Sequence, residues 1–176
     1  MPNLIFGTDK GPAQAVEHHT DIDVARLLPV PIWFEREAQP YISAGVIVAK
    51  DPETGRRNVS IARLRLEGGS RVMAGIAHNH HLYRLAEKAQ ALGRPLEIAV
   101  AIGNHAAVLL ASQMYVDLGD DEFAIAGGLL REPVRLLKCK TVDLEVPAEA
   151  EIVLEGMLRP DELIEEGPVS EFPGFY

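Results

Sequence analysis

With a single cysteine, Cys139, in 176 residues, the chain cannot build an internal disulfide framework, and a reducing, cytoplasmic compartment is the expectation. Residues 1–30 contain no apolar run behind a basic segment, and no later stretch has the unbroken apolar length of a membrane helix. The chain therefore reads as unexported and not membrane-spanning. Positive charge is short: 17 Lys and Arg stand against 26 Asp and Glu, a formal net charge of −9. That balance opposes the broad attraction behind most nonspecific nucleic-acid affinity and argues against nucleic acid as a partner. GxGxxG and GxxxxGK[ST] are both missing, so neither dinucleotide nor nucleoside triphosphate binding is motivated, and the histidines do not follow HExxH spacing. There is no internal repeat, low-complexity tract or interior linker. With 47% apolar and 24% charged residues, the composition is that of an ordinary globular protein long enough for one well-cored domain.

What basic charge there is crowds the middle of the chain, at Arg56, Arg57, Arg63, Arg65, Arg71, Arg84, Lys88 and Arg94. An acidic protein that binds a phosphate or carboxylate must use this belt or a bound cation. Residues 1–40, rich in turn formers, read as a loosely structured arm with a helical turn over Asp23–Leu28, and regular structure is expected over 41–176. YISAGVIVA from Tyr41 reads as one strand and NVSIARLRLEG from Asn58 as a second, joined as a hairpin through DPETG. Arg71–Ala77 is a third strand. Leu82, Leu85, Ala89 and Leu92 mark a helix stopped by Gly93 and Pro95.

Leu96–Ile102 reads as a buried strand, after which Asn104 is expected to cap a helix over Ala106–Gln113. A second capped helix begins near Asp120, carries Glu122 in its first turn and is loosened by Gly127 and Gly128. Strands are expected at Val134–Cys139, Val142–Val146 and Ile152–Leu158, ahead of an aperiodic tail. The sum is a β-rich α+β domain, read as a partly closed barrel.

His78, His80 and His81 lie within four residues where a strand gives way to a helix, and clustered imidazole suits a transition metal. Half-buried structural histidines are an equally good reading of that spacing. Asn58 and Arg63 are five apart, so on a flat strand they face opposite ways. A common site requires Asn58 at the strand entrance or a break in alternation. On spacing alone Arg63 is a solvated strand arginine. Glu166 and Glu171, in EEGPVSE, are either two carboxylates aimed by a Gly/Pro loop or a polar tail. Cys139 reads as packed rather than reactive.

The segments PYISAGVIVAKDPETGRRNVSIARLRLEG, LLREPVRLLKCKTVDLEVPAEAEIVLEG and EEGPVSEFPGFY resemble successive blocks of the UbiD family of decarboxylases, which use prenylated flavin mononucleotide. HHTDIDVARLLPVP resembles the family's lead-in. The resemblance implies a split β-barrel of the FMN-binding type with flanking helices. It also implies reversible, non-oxidative decarboxylation of an aromatic or α,β-unsaturated acid, in which the flavin supplies the electron sink that a vinylic or aryl carbanion lacks.

By matching blocks, N-x-S-x-x-R implies Asn58 as a ligand of Mn²⁺ or Mg²⁺, and D-E-F-x-x-A-G implies Glu122. HLYRLAEKA implies His81 as the third ligand, with His80 or His78 requiring a shift of register. The stretch Val59, Ser60, Ile61, Ala62 and Arg63, with His80, lines the implied cofactor site. Ala111, Ser112 and Met114 in ASQM match a backbone-carbonyl K⁺ site. Arg63, Glu166 and Glu171 match the catalytic set, with Arg63 orienting the substrate carboxylate and Glu171 returning a proton to carbon. Family members commonly read PFG where this chain has Pro168, Val169 and Ser170, and are far longer. The implied alternative is a cofactor-binding module or subunit, completed by a homo-oligomer or a partner chain.

Overall fold

Two stretches that the sequence presents as continuous strands are each broken once, and the two breaks lie side by side. The computed structural model describes residues 5–8, 11–37 and 39–170. In chain order its strands are β1 (Ile5–Thr8), β2 (Tyr41–Ile42), β3 (Val46–Lys50), β4 (Arg57–Ile61), β5 (Arg63–Gly68), β6 (Arg71–Gly75), β7 (Leu96–Ile102), β8 (Val134–Lys138), β9 (Glu145–Pro147) and β10 (Ile152–Leu158). The α-helices are α1 (Val24–Leu27), α2 (His81–Ala91), α3 (Ala106–Ala111) and α4 (Glu122–Leu130).

YISAGVIVA divides into β2 and β3, and NVSIARLRLEG into β4 and β5. Strands β3 and β4 pair antiparallel from Val46↔Ile61 to Lys50↔Arg57, whereas β2 and β5 pair at Tyr41↔Arg65 and Ile42↔Leu64. One long hairpin is thus folded over at residues 43–45 and at Ala62. Its two halves belong to different sheets, of order β10-β7-β3-β4 and β2-β5-β6. Gly45 permits the fold: a Cβ there would come within 2.7 Å of Val100 Cγ1. Corners of this kind are how strands pass between packed sheets. The third sheet has order β1-β8-β9, with β1 parallel to β8.

The architecture is α+β, strand-rich and built from several sheets, which do not close into a barrel among the described residues. Strand β3 is buried on both faces, which accounts for its unbroken apolar sequence. Val46 and Val48 join one core with Val59, Ala99, Phe123 and Val146. Ile47 and Ala49 join the other with Leu64, Leu66, Leu82, Leu85 and Val100. Each of the Val, Leu, Ile and Phe side chains among them, fully buried, contributes roughly 1.5–3 kcal/mol.

Several expected boundaries move. The cap of α3 is His105, whose Nδ1 accepts from the Ala107 amide at 3.1 Å, because Asn104 turns back to donate to the Ala101 carbonyl at 2.7 Å. Helix α3 ends at Ala111 rather than Gln113. Gly127 and Gly128 do not loosen α4, which runs through both. Burial of Phe123, Ala126 and Gly127 outweighs the poor helix propensity of glycine. The strand expected at Val142–Val146 moves to β9, since the Asp143 amide donates to Glu97 Oε2 at 3.0 Å, and the Lys140 and Thr141 amides before it donate to Glu155 at 2.9 and 2.6 Å.

Candidate cofactor and active site

Strand β4 is the free edge of its four-stranded sheet, and such an edge needs partners for its outward amides. Glu122, in the first turn of α4, supplies one: its Oε2 accepts from the Val59 amide at 3.0 Å. Arg57 fixes the approach of α4. Its guanidinium donates to Asp121 Oδ2 and Glu145 Oε2, both at 2.9 Å, and stands 5.3 Å from the centroid of the Phe123 ring. Asp121 in turn caps α4, accepting from the Phe123 amide at 3.0 Å.

Glu122 is only 4% exposed. Burial pushes its carboxyl up to about 7; its own amide and that of Val59 pull the other way, while Asp121 and Asp120 add to the upward push. Beside it on β4, Asn58 is 4% exposed, and its Nδ2 has no hydrogen-bond partner among the described residues. The buried Ser60 Oγ is likewise without one. Asn58 and Ser60 are two apart and share a face of β4, opposite the core residue Val59.

The expected histidine cluster disperses. His78 meets the Tyr83 ring edge-on, with centroids 4.5 Å apart. His80 is the N-cap residue of α2 and makes no side-chain cap bond, and His81 is the half-buried first residue of that helix. Among the described residues no three His, Cys, Asp or Glu side chains gather to hold a metal. A metal here therefore needs a mixed donor set that includes the Asn58 amide.

The break at Ala62 removes the alternation problem between Asn58 and Arg63, which lie on different strands of different sheets. Arg63 opens β5 and pairs in two-pronged fashion with Glu166, Nε to Oε1 at 2.5 Å and Nη2 to Oε2 at 2.8 Å. Gly75 lies opposite Arg63 in register, and a Cβ there would sit 3.0 Å from Arg63 Cγ and 3.1 Å from Glu166 Oε1. Glu171 lies outside the described residues. Ala111 and Ser112 are buried at the end of α3, and Met114 is exposed. The Ala111 carbonyl accepts from the Met114 amide at 3.1 Å, which leaves it one lone pair for a cation. Ser112 Oγ donates to the Leu109 carbonyl at 2.8 Å.

The structure thus joins Asn58, Val59 and Glu122 in one cluster and Arg63 with Glu166 in another, linked by residues 59–63. Sequence reasoning missed Arg57, Asp121 and Gly75 as parts of this arrangement; the NxSxxR run following a paired Arg56-Arg57 was the available signal. A cavity of about 1220 Å³ lies elsewhere: it runs along β6, β7 and β10 and is lined by residues such as Ile76, Ile98, Leu154 and Leu158. Cys139 is buried and its thiol pushed up to about 12, chiefly by that burial, so it is packed and unreactive. No described helix is long and apolar enough to cross a membrane.

Residues 5–176 match the model of the UbiD family, 3-octaprenyl-4-hydroxybenzoate carboxy-lyase Rift-related domain. The chain belongs to the UbiD family. A UbiD relative, anhydromevalonate phosphate decarboxylase of Methanothermobacter thermautotrophicus, is 40% identical over 149 residues, which is 85% of this chain and 35% of that protein. Among solved structures, the UbiD-class enzyme HmfF from Pelotomaculum thermopropionicum, in complex with FMN, superposes with a TM-score of 0.93 at 46% identity, over 99% of this chain and 39% of that one. Vanillic acid decarboxylase of Sedimentibacter hydroxybenzoicus, in its closed form, gives 0.94 at 31% identity, over 99% and 38%. The chain therefore spans well under half the length of these UbiD relatives.

Proposed function

We propose that this chain is the cofactor-binding part of a decarboxylase that removes CO₂ reversibly from an aromatic or α,β-unsaturated acid. The observation that carries the reading is the stretch 58–63, which leads from a buried amide and carboxylate to an arginine–carboxylate pair. Burial pushes the Glu122 carboxyl up, and a cation beside it would favour its ionised form. The neighbouring Asn58, whose Nδ2 is held by no described residue, can turn its amide to present the oxygen to that cation. A divalent ion, Mn²⁺ or Mg²⁺, fits the site: Asn58 and Glu122 would hold the ion, with His81 as third ligand, and Ala111, Ser112 and Met114 would hold K⁺ through carbonyls. The ion then answers the charge problem of an acidic chain that must bind the anionic phosphate of prenylated FMN.

When bound, the prenylated flavin would supply an electron sink for the bonding pair left on the substrate as CO₂ departs. The rest falls to the chain. Val59, Ser60, Ile61 and Ala62, with His80, line the cofactor side. The unpartnered Ser60 Oγ is a donor suited to a phosphate oxygen. Arg63 orients the substrate carboxylate by its planar fork, a geometry already expressed toward Glu166. Glu171 returns a proton to the carbon that lost CO₂, which requires it to be neutral for part of the cycle.

The fold reading that goes with this is a split barrel opened between the two halves of the folded hairpin, in a reducing, cytoplasmic setting. In a second form of the same reading the chain is a cofactor-binding module, and a partner chain or a second copy completes the site. Reconstitution with prenylated FMN and Mn²⁺, followed by an assay of CO₂ release from a panel of unsaturated acids, separates the two. Bound flavin with CO₂ release supports the enzyme, and bound flavin without it supports the module. Failure to bind flavin at all removes both.

A further inference from the structure

We propose that Arg65 is a positioning residue that holds the Glu166 carboxylate for Arg63 by gripping the main chain on either side of it. The inference rests on the proposed catalytic part of Arg63, whose fork Glu166 holds. Arg63 and Arg65 are two apart on β5 and share a face. Their environments differ: the Arg63 side chain is 44% exposed and that of Arg65 only 9%.

The buried guanidinium uses each of its nitrogens differently. Nε donates to Glu67 Oε1 at 2.5 Å, Nη2 to the Glu165 carbonyl at 3.1 Å, and Nη1 to the Glu166 carbonyl. Glu67 balances the charge, so the remaining donors are free to hold neutral carbonyls, and the Glu166 carboxylate is left to Arg63. Only a planar fork can reach three acceptors in this way.

The segment needs such an anchor. Residues 159–170 form no helix or strand, so no ladder fixes them. Another ion pair from the sheet to this segment, Arg71 to Glu162 at 3.2 Å, is between exposed side chains and is worth little. Arg63 and Glu166 are themselves partly exposed, and their pairing cannot localise a loop unaided. Behind Arg65, its register partner Tyr41 is 4% exposed. Burial raises the Tyr41 phenol, with Glu166 adding to the rise and Arg65 and Arg63 opposing it. The grip therefore sits in a desolvated corner where hydrogen bonds from a cation are strong.

The test uses the full chain reconstituted with prenylated FMN and Mn²⁺, comparing Arg65→Met and Arg65→Lys with the unaltered protein. The readouts are bound flavin, melting temperature, kcat and KM for CO₂ release, and hydrogen–deuterium exchange of residues 159–170. We expect Arg65→Met to keep its flavin and melt cooperatively, to exchange faster in that segment, and to lose about tenfold or more in kcat with KM nearly unchanged. Arg65→Lys, which keeps the charge but not the fork, recovers part of both. Unchanged kcat and exchange in Arg65→Met overturn the proposal, as does joint loss of flavin and cooperative melting in both variants. If the unaltered protein binds flavin but releases no CO₂, the enzymatic reading fails while exchange still decides the role of Arg65.

Discussion

Glu122 and Val59 are 63 positions apart in sequence, yet a carboxylate oxygen of one accepts the amide of the other at 3.0 Å in the protein interior. The bond does two things. It closes the open edge of β4, and it brings an ionisable side chain to the strand that carries Asn58.

A first prediction concerns pH. In the metal-free protein burial lifts the Glu122 carboxyl to about 7 from its ordinary 4.5. A group whose folded value is raised binds more protons folded than unfolded, so its stabilisation is present below about 4.5 and is lost as pH rises through about 7. The difference spans roughly 3 kcal/mol at about 1.4 kcal/mol per pH unit. Urea melts of chelator-treated protein should therefore weaken from pH 5 to pH 8 by up to that amount, and Glu122→Gln should flatten the profile. Added Mn²⁺ should restore stability at pH 8, because it favours the carboxylate. A melt that strengthens with pH in the chelated protein would contradict the assignment.

A second prediction separates binding from folding. Asn58 is buried with an amide nitrogen that no described residue satisfies, so Asn58→Ala removes little that holds the apo protein together. Its melting temperature should change by only a few degrees, corresponding to about 1 kcal/mol or less. Metal content after dialysis against Mn²⁺ should drop from near stoichiometric to near zero. Retention of the metal by Asn58→Ala, measured by elemental analysis, removes Asn58 from the ligand set.

Much of this was legible in the sequence because local rules and burial agreed. The helix over His81–Ala91 follows from apolar spacing and the Gly93-Pro95 stop, and the strand over Leu96–Ile102 from its continuous apolar run. A break between Asn58 and Arg63 was required by the site reading but not located at Ala62. The break at Ser43, Ala44 and Gly45 was read through as one strand, because it is tertiary packing of Gly45 against Val100 that selects the corner. Asn104 and His105 compete for one cap, and propensity favoured the wrong one. Block resemblance singled out Asn58, Arg63, Glu122 and Glu166 as candidates, two of which, Arg63 and Glu166, the structure pairs directly. The pairings that give them geometry, such as Val59 with Glu122, are long-range and leave no periodicity to read.

A third prediction tests how α4 is seated. Phe123 is fully buried and follows Glu122 directly, with the Arg57 guanidinium near its ring. Phe123→Ala should cost about 3–5 kcal/mol by urea denaturation. It should also reduce Mn²⁺ retention, because the helix that carries Glu122 loses its main apolar anchor. Phe123→Leu, which refills most of the volume, should recover most of the stability and the metal. Recovery of stability without metal would show that the ring contact with Arg57, rather than core volume, sets the position of Glu122.

The last prediction addresses the arginine–carboxylate pair through its neighbour. Gly75 has no side chain, and it stands across β5–β6 from Arg63. A methyl group there would lie at 3.0 Å from Arg63 Cγ, 3.1 Å from Arg63 Nε and 3.1 Å from Glu166 Oε1. Its backbone angle is not in the left-handed region, so Gly75→Ala introduces no conformational strain and its effect must come from crowding. The two charged groups must move apart by a few tenths of an ångström or swing into solvent, which both can reach. Stability should change little, as exposed ion pairs are worth at most about 1 kcal/mol. Turnover should fall by about tenfold or more, since misplacement of an orienting group near 1 Å can cost about a hundredfold. Bound flavin should be unaffected, because Asn58 and Glu122 lie in the other cluster. A Gly75→Ala protein with unaltered CO₂ release would mean that the Arg63–Glu166 distance is not what limits the reaction.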